Sequence, residues 1–294
     1  MSSGETGLQR AAKLRAYYAR CVAVLAGTGD HRIEDAFATV PREPFAGPAP
    51  WSIPMLNIWR AGPWPRTYVR TPDDDPAFLY QNVLIALDAD RGIHIGEPSL
   101  HAHCLDAVAV QPGETVVQVG AGSGYYTAIL AHLAGPGGQV HAFEVDAGLA
   151  ARAVANLAPW PHASVHARSG TAEGLPEADV IYVCAGITQP CWPWLEALRP
   201  GGRLLFPLQP EGGFGAMLLL QKPNGRGPAW PARFVSRAGF IACQARQDEA
   251  AGRGLAAAFA AGGWEGVKSF HTGSAPDGMC WFNGGDWWLS ASPP

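Results

Sequence analysis

The sequence contains no run approaching the roughly 20 consecutive apolar residues of a membrane-spanning helix. Met1 to Arg20 is polar and lacks the apolar centre of a secretory leader, so a cytoplasmic protein without a membrane partner is expected. Cysteine is sparse. Cys21, Cys104, Cys184, Cys191, Cys243 and Cys280 are scattered with no CxxC pair, which argues for buried thiols over a disulfide framework or a zinc site. A basic excess is missing too: Lys and Arg number 21 against 25 Asp and Glu, a net charge of -4, so no nucleic-acid partner is expected. Internal repeats and low-complexity arrays are absent. What is present is an ordinary globular composition, 48% hydrophobic, in a chain long enough for a full core with additions.

Three regions are expected. Residues 1–107 read as a helical and loop-rich substrate region. Leu14, Tyr17, Tyr18, Cys21, Val22 and Leu25 recur at helical spacing, and a second short helix runs from Arg32 to Val40. Between Pro41 and Pro76 lie seven further prolines together with Trp51, Trp59 and Trp64, which makes 41–78 a Trp-rich insertion. Its tryptophans either pack over the body or line a substrate entrance. Residues 108–245 alternate strands and helices, the signature of a mostly parallel sheet covered on both faces. Strands are expected at Thr115 to Val119, Gln139 to Val145, Ala163 to Ala167, Asp179 to Cys184 and Arg203 to Pro207. A terminal antiparallel hairpin is expected from Ala216 to Gln221 and Arg233 to Val235. Residues 246–294 supply an alanine-rich helix, about Asp248 to Ala261, and an aromatic tail with Trp264, Phe270, Trp281, Phe282, Trp287 and Trp288.

The chemistry-bearing segment begins where the first core strand runs into Gly120-Ala121-Gly122-Ser123-Gly124 ahead of a helix. Glycines at that junction let the backbone approach a ligand closely. The loop alone is a weak signal. A dinucleotide fingerprint places its third glycine where Tyr125 stands, so a nucleoside ligand without a pyrophosphate fits better than a nicotinamide cofactor. The next strand ends at Glu144, where a carboxylate can accept from both ribose hydroxyls; alone it could equally be a solvated strand-end acid.

With these segments in view, the chain resembles the protein-L-isoaspartate O-methyltransferase family over most of residues 9 to 240. Arg32 to Phe45 looks like that family's N-terminal helix with its VPRexF ending. Ile95-Gly96-Glu97-Pro98 sits where the family carries its TISxP substrate loop, and Ala178 to Ala185 and Leu198 to Pro207 resemble its fourth and fifth strands. The segments occur in family order. The resemblance implies a Rossmann-like class I methyltransferase: a seven-stranded, mostly parallel sheet that binds S-adenosyl-L-methionine, releases S-adenosyl-L-homocysteine and methylates a carboxylate. It also implies that Gly120, Ala121, Gly122, Ser123 and Gly124 hold the methionine portion, Glu144 and Val145 the ribose, and Ser169, Gly170 and Thr171 the adenine edge. Cys184 and Ala185 would floor the site, with Ile95 and His101 beside the cofactor.

Two departures bear on the acceptor, which could be a peptide, a protein or a small molecule. Gly96 replaces the loop serine, and Glu97 replaces a small or polar residue; these two are the candidate residues on the catalytic side. Glu97 either faces the substrate, as a base for an amine, guanidine or hydroxyl, or points to solvent before Pro98. Arg168-Ser169-Gly170 replaces the family's acidic GDG, exchanging a charged adenine acceptor for a hydroxyl. Alternatives are an N-methyltransferase with Glu97 as base, or a degenerate member that binds cofactor or peptide without transfer. No metal site is expected from His94, His101, His103 and Cys104, because positions 101 and 103 do not share a helix face. The sequence carries no signal of oligomeric state.

Overall fold

A computed structural model describes residues 7–54, 68–211, 213–225, 227–244, 249–273 and 275–294. Trp59 and Trp64 of the insertion lie outside these residues. The first elements are α1 (Gly7–Ala26), α2 (His31–Thr39) and α3 (Glu43–Ala46), then the short strands β1 (Ser52–Pro54) and β2 (Tyr68–Arg70). Next come the hairpin β3 (Ile85–Asp88) and β4 (Ile93–Ile95) and the helix α4 (Pro98–Val108). The alternating core follows: β5 (Thr115–Val119), α5 (Tyr125–Ala134), β6 (Gln139–Phe143), α6 (Ala147–Asn156), β7 (Ala163–His166), β8 (Ala178–Val183), α7 (Trp192–Ala197) and β9 (Leu198–Leu208). After β10 (Gly215–Gln221), β11 (Ala229–Ala238) and α8 (Glu249–Ala261) the chain ends in β12 (Ser269–Thr272), β13 (Cys280–Asn283) and β14 (Trp287–Ser290).

β5 is buried along almost its whole length, as its Thr-Val-Val-Gln-Val sequence requires of a strand covered on both faces. It pairs in parallel with β6 on one side and β8 on the other, Val119 lying level with Phe143 and Val183. Connections leave β5 toward β7 in one direction and toward β9 in the other. The carboxyl ends of β5 and β8 therefore flank a topological switch point, where open sheets of this kind form their ligand crevice.

β10 and β11 add antiparallel strands beyond β9, completing the seven that the sequence leads one to expect. The aromatic tail then contributes three more. β12 pairs with β11, β14 with β12 and β13 with β14, so the sheet has ten strands in the order β13-β14-β12-β11-β10-β9-β8-β5-β6-β7. Alternation explains it: Phe270 and Leu289 are fully buried in this extension, whose neighbours Phe234, Phe259, Trp264 and Trp281 pack edge to face.

The N-terminal helices cover one face of the sheet and share one core with α4 and α5. The buried residues of α1 are Ala11, Tyr18, Ala19, Val22, Ala23 and Ala26. Tyr17 and Leu25, expected among them, are 72% and 62% exposed, so the packed face is rotated toward the small alanines that let α1 approach α2 closely. Trp51 packs into this core and donates from Nε1 to the Gly47 carbonyl at 2.8 Å.

Arg42, the arginine of the VPRexF segment, is completely buried. Its guanidinium donates to the carbonyls of Leu79, Gln81 and Val83 at 2.6, 3.1 and 3.1 Å and lies 5.6 and 5.5 Å from the ring centres of Tyr18 and Tyr125. One cation thus fixes the segment entering β3 against α1 and α5. Arg42→Met is expected to lower the unfolding free energy by about 3–5 kcal/mol, since the buried Leu79 carbonyl and the part-buried carbonyls of Gln81 and Val83 lose their charged donor. Urea unfolding checks it; a loss below about 1 kcal/mol, the worth of an ordinary hydrogen bond, would contradict this account.

Candidate active site

The crevice at the switch point is lined from three sides. Its floor is the end of β5 and the loop after it: Val119, Gly120, Ala121, Gly122 and Ser123. Gly120, Gly122 and Gly124 have φ of +82°, +57° and +95°, a region that only glycine enters freely, so the loop can turn tightly before α5 starts. Gly124 does not line the crevice. It starts α5 and approaches Ala153 of α6 so closely that a Cβ there would lie 3.3 Å from the alanine's Cβ.

Glu144 follows β6 and is buried. One carboxylate oxygen accepts the Gly122 N–H at 2.7 Å and the other the Asp146 N–H at 3.0 Å. Two backbone donors fix its direction while leaving acceptor capacity on both oxygens. Val145 and Asp146 continue the wall, Asp146 capping α6 through the Leu149 N–H at 2.9 Å. Next along the rim are Ser169 and Gly170. A Cβ on Gly170 would stand 2.8 Å from Val119 Cγ2 and 3.0 Å from Phe143 Cβ, so the slot there exists only because position 170 has no side chain. Trp194, fully buried, holds that backbone by donating from Nε1 to the Gly170 carbonyl at 2.7 Å. Thr171 lies behind the lining, its hydroxyl 2.8 Å from that of Ser169.

Cys184 and Ala185 at the end of β8 continue the lining beside Gly120. Burial pushes the Cys184 thiol up to about 12, so it stays protonated and serves as a wall. Ser123 supplies an unusual feature: its hydroxyl is buried and has no hydrogen-bond partner among the described residues. A buried orphan costs about 1–3 kcal/mol unless a ligand satisfies it. An oriented carboxylate, an orphan hydroxyl and a glycine cradle together suit a polar nucleoside with an amino-acid end.

Two further segments complete the enclosure. The β3–β4 hairpin brings Leu87, Arg91, Ile93, His94 and Ile95 over the glycine loop, and Arg91 pairs with Asp146 at 2.7 Å. From the other side Phe240 to Gln244 cover the crevice. Gln209 holds this segment by accepting the Phe240 N–H and donating to the Phe240 carbonyl, both at 2.9 Å. The spaced apolar residues of Ile85-Ala-Leu and Ile93-His-Ile are the signal that could have revealed the hairpin. Phe240 to Gln244 has no comparable pattern.

The substrate-loop residues part company. Ile95 and His101 line the crevice, but Gly96 and Glu97 do not. Glu97 is exposed; its carboxylate accepts from Asn82 Nδ2 at 3.0 Å and from the Ser99 hydroxyl at 2.9 Å, outside the crevice. Its position as the residue before Pro98, the first residue of α4, explains this: the carboxylate is drawn to polar groups around the helix start. Gly96 stands behind His101, its carbonyl accepting from the Tyr126 hydroxyl at 2.7 Å. The His101 ring stacks on Tyr126 at 3.6 Å, and its Nδ1 lies 2.8 Å from the Tyr182 hydroxyl. His103 faces elsewhere, toward the carbonyls of Ala26 and Val235.

Solved structures share this architecture. A protein-L-isoaspartate O-methyltransferase superposes with a TM-score of 0.61 at 22% identity, over 78% of this chain and 65% of that one. A protein from Plasmodium falciparum described as a protein-L-isoaspartate O-methyltransferase, in complex with S-adenosyl-L-homocysteine, superposes with a TM-score of 0.59 at 15% identity, over 79% and 99% of the two chains. The fold is that of the class I S-adenosyl-L-methionine-dependent methyltransferases. In sequence, the chain is 34% identical over 220 residues to protein-L-isoaspartate O-methyltransferase 2 of Anaeromyxobacter sp. (strain Fw109-5), spanning 71% of this chain and 76% of that protein. It is 32% identical over 200 residues to the protein-L-isoaspartate O-methyltransferase of Roseiflexus sp. (strain RS-1), spanning 66% and 76%. The family model for protein-L-isoaspartate(D-aspartate) O-methyltransferase matches residues 68–229, and the chain belongs to that family.

Burial holds the His101 imidazole down to about 3, from an ordinary value of 6.5, with the neighbouring His94 and Arg42 as lesser causes. In the unfolded chain the same ring takes up a proton near 6.5. Folding stability is therefore complete above that value and declines as the pH falls toward 3, by up to about 1.4 kcal/mol per pH unit from this group. His101→Asn should show a shallower decline between pH 6 and 4 in urea unfolding. Equal slopes would contradict a buried neutral imidazole.

Proposed function

We propose that this chain methylates the carboxylate of a peptide or protein, isoaspartyl side chains included, with S-adenosyl-L-methionine as donor. The observation that carries the reading is the position of Glu97. An amine or hydroxyl acceptor needs a base as its methyl arrives, and the carboxylate that would have supplied one is engaged with Asn82 and Ser99 outside the crevice. His101, held neutral by burial to about pH 3, is too weak a base to replace it. A carboxylate acceptor is already anionic and needs none.

The donor, when bound, supplies an electrophilic methyl carbon on a sulfonium: a carboxylate oxygen forms the new C–O bond, the S–C bond breaks, and sulfur keeps the electron pair. No proton moves. What the chain contributes is binding, orientation and exclusion of water. Glu144 would hold the ribose hydroxyls through its two pre-aimed oxygens, with Val145 beside it, and Ser123 and the glycine backbone would hold the amino-acid end. The slot beside Ser169 and Gly170 would take the adenine, with Thr171 fixing Ser169, while Cys184 and Ala185 form the wall. The hairpin and the Phe240 to Gln244 segment would exclude water, and alignment of reactants at about 3–3.5 Å can supply several kcal/mol of the barrier reduction.

Incubation with methyl-labelled donor and an isoaspartyl peptide should give a base-labile methyl ester, and Glu97→Gln should retain the rate within about threefold, as expected when no hydrogen-bonded charge is lost from the transition state. A tenfold or larger loss in Glu97→Gln, or label stable to base on an amine, would overturn the carboxylate reading. Glu144→Ala is expected to weaken S-adenosyl-L-homocysteine at least tenfold, the loss of one to two charge-assisted hydrogen bonds. Calorimetry on the variant checks it, with thermal unfolding as the control for folding; unchanged affinity would remove Glu144 from the ribose site.

A further inference from the structure

We propose that His141, Ser164 and His166 form a binding site for a divalent transition-metal ion of the class that imidazole ligates, zinc first among them. None of the three lines the crevice, and methyl transfer does not involve them. Parallel pairing of β6 with β7 sets His141 level with Ser164 and Phe143 level with His166, so all three side chains stand on one face at the edge of the sheet. The chain passes from β7 to β8 without a helix, which leaves this face within reach of solvent: Ser164 is exposed and both histidines are half-buried.

Three lone-pair atoms converge there. The Ser164 hydroxyl oxygen lies 3.1 Å from His141 Nδ1 and 3.4 Å from His166 Nε2, and the two nitrogens are 3.5 Å apart. Two of these separations exceed the roughly 2.7–3.2 Å of a well-formed hydrogen bond. Together they bracket the distance of about 3.3–3.4 Å between neighbouring donors of a tetrahedral ion bound at about 2.0–2.1 Å. The Ser164 proton can go to the Val140 carbonyl at 3.4 Å, which leaves the oxygen's lone pairs for the ion. Phe143 holds the His166 ring by stacking on it at 4.7 Å with planes 17° apart. Burial lowers both imidazoles from 6.5, with His166 adding to the drop at His141 and Arg168 to that at His166, so at neutral pH both rings are mostly uncharged and ready to ligate. Each ring then keeps its one proton on the nitrogen away from the ion. Arg168 is engaged by the Gly174 carbonyl at 2.9 Å and lies 4.7 Å from the centre of the Phe143 ring. No third histidine, cysteine or carboxylate joins the group among the described residues, so water completes the shell and the affinity falls short of that of a closed structural zinc site.

The test is calorimetry of the whole chain with Zn2+, and with Mg2+ as the ion that prefers oxygen ligands. Wild type should take up zinc at a site that His141→Ala and His166→Ala each weaken at least about tenfold, as the loss of one of two nitrogen ligands demands. Ser164→Cys should tighten zinc at that site at least about tenfold, because a thiolate replaces a neutral hydroxyl at the third corner. A hydrogen-bonded cluster with no ligating role predicts no such gain. Cooperative thermal unfolding of each metal-free variant controls for folding. No zinc uptake up to millimolar concentration, uptake unchanged in both histidine variants, an equal uptake of Mg2+, or no gain in Ser164→Cys overturns the site.

Discussion

The buried guanidinium of Arg42 is the interaction on which the upper half of the molecule depends. A charge taken wholly out of water is tolerated only when its donors are met. Here three carbonyls of residues 79–83 meet the two terminal nitrogens, the rings of Tyr18 and Tyr125 offer their faces, and only Nε has no hydrogen-bond partner among the described residues. Those carbonyls precede the β3–β4 hairpin, Tyr18 belongs to α1, and Tyr125 begins the helix that follows the glycine loop. A single ion therefore sets the hairpin's height over the loop: Leu87 comes so near Gly122 that a Cβ there would be 3.5 Å from its Cδ1. The family-like VPRexF segment thus reads physically as a strut for the site instead of as part of it.

The crevice itself is made by side chains that are missing. Gly170 leaves a slot against Val119, Gly186 lets Gln209 reach Phe240, since a Cβ there would lie 2.3 Å from the Gln209 amide, and Gly96 leaves room for His101. Each absence admits one larger group that sets polarity or shape. This is how a sheet end with an ordinary apolar core acquires a narrow, directed interior: backbone comes close, and few but well-aimed polar atoms remain.

The sequence spoke clearly where local rules suffice. Thr115 to Gly124 and Gln139 to Glu144 are a buried strand and loop, then a strand and acid, and their neighbours in the sheet follow from alternation alone. The seven-strand core was legible for the same reason. The tail was not: the pattern of Phe270, Trp287 and Leu289 alternates, but no short-range signal says that such strands will join the parent sheet beyond β11. The α1 stripe went astray because large residues at Tyr17 and Leu25 outweigh alanines in any hydrophobic pattern, whereas close helix packing favours the alanines. Glu97 is the telling case. Its place before Pro98 follows from the sequence, but direction depends on Asn82, fifteen residues earlier, and on Ser99, neither of which the motif includes. Position can be inherited from a pattern; orientation is decided by partners brought from elsewhere.

Orientation also governs the electrostatics of transfer. A donor cofactor of this class brings a positive charge into the crevice, and a carboxylate acceptor of the kind proposed would bring a negative one. A protonated imidazole in the crevice lining would repel the first, so binding of the donor would suffer. The stack on Tyr126 and the burial that holds His101 neutral remove that conflict. The same burial makes the fold pay at low pH, because the unfolded chain can protonate the ring freely. The low-pH cost and the neutral lining thus trace to one placement, an imidazole in space that glycine left open.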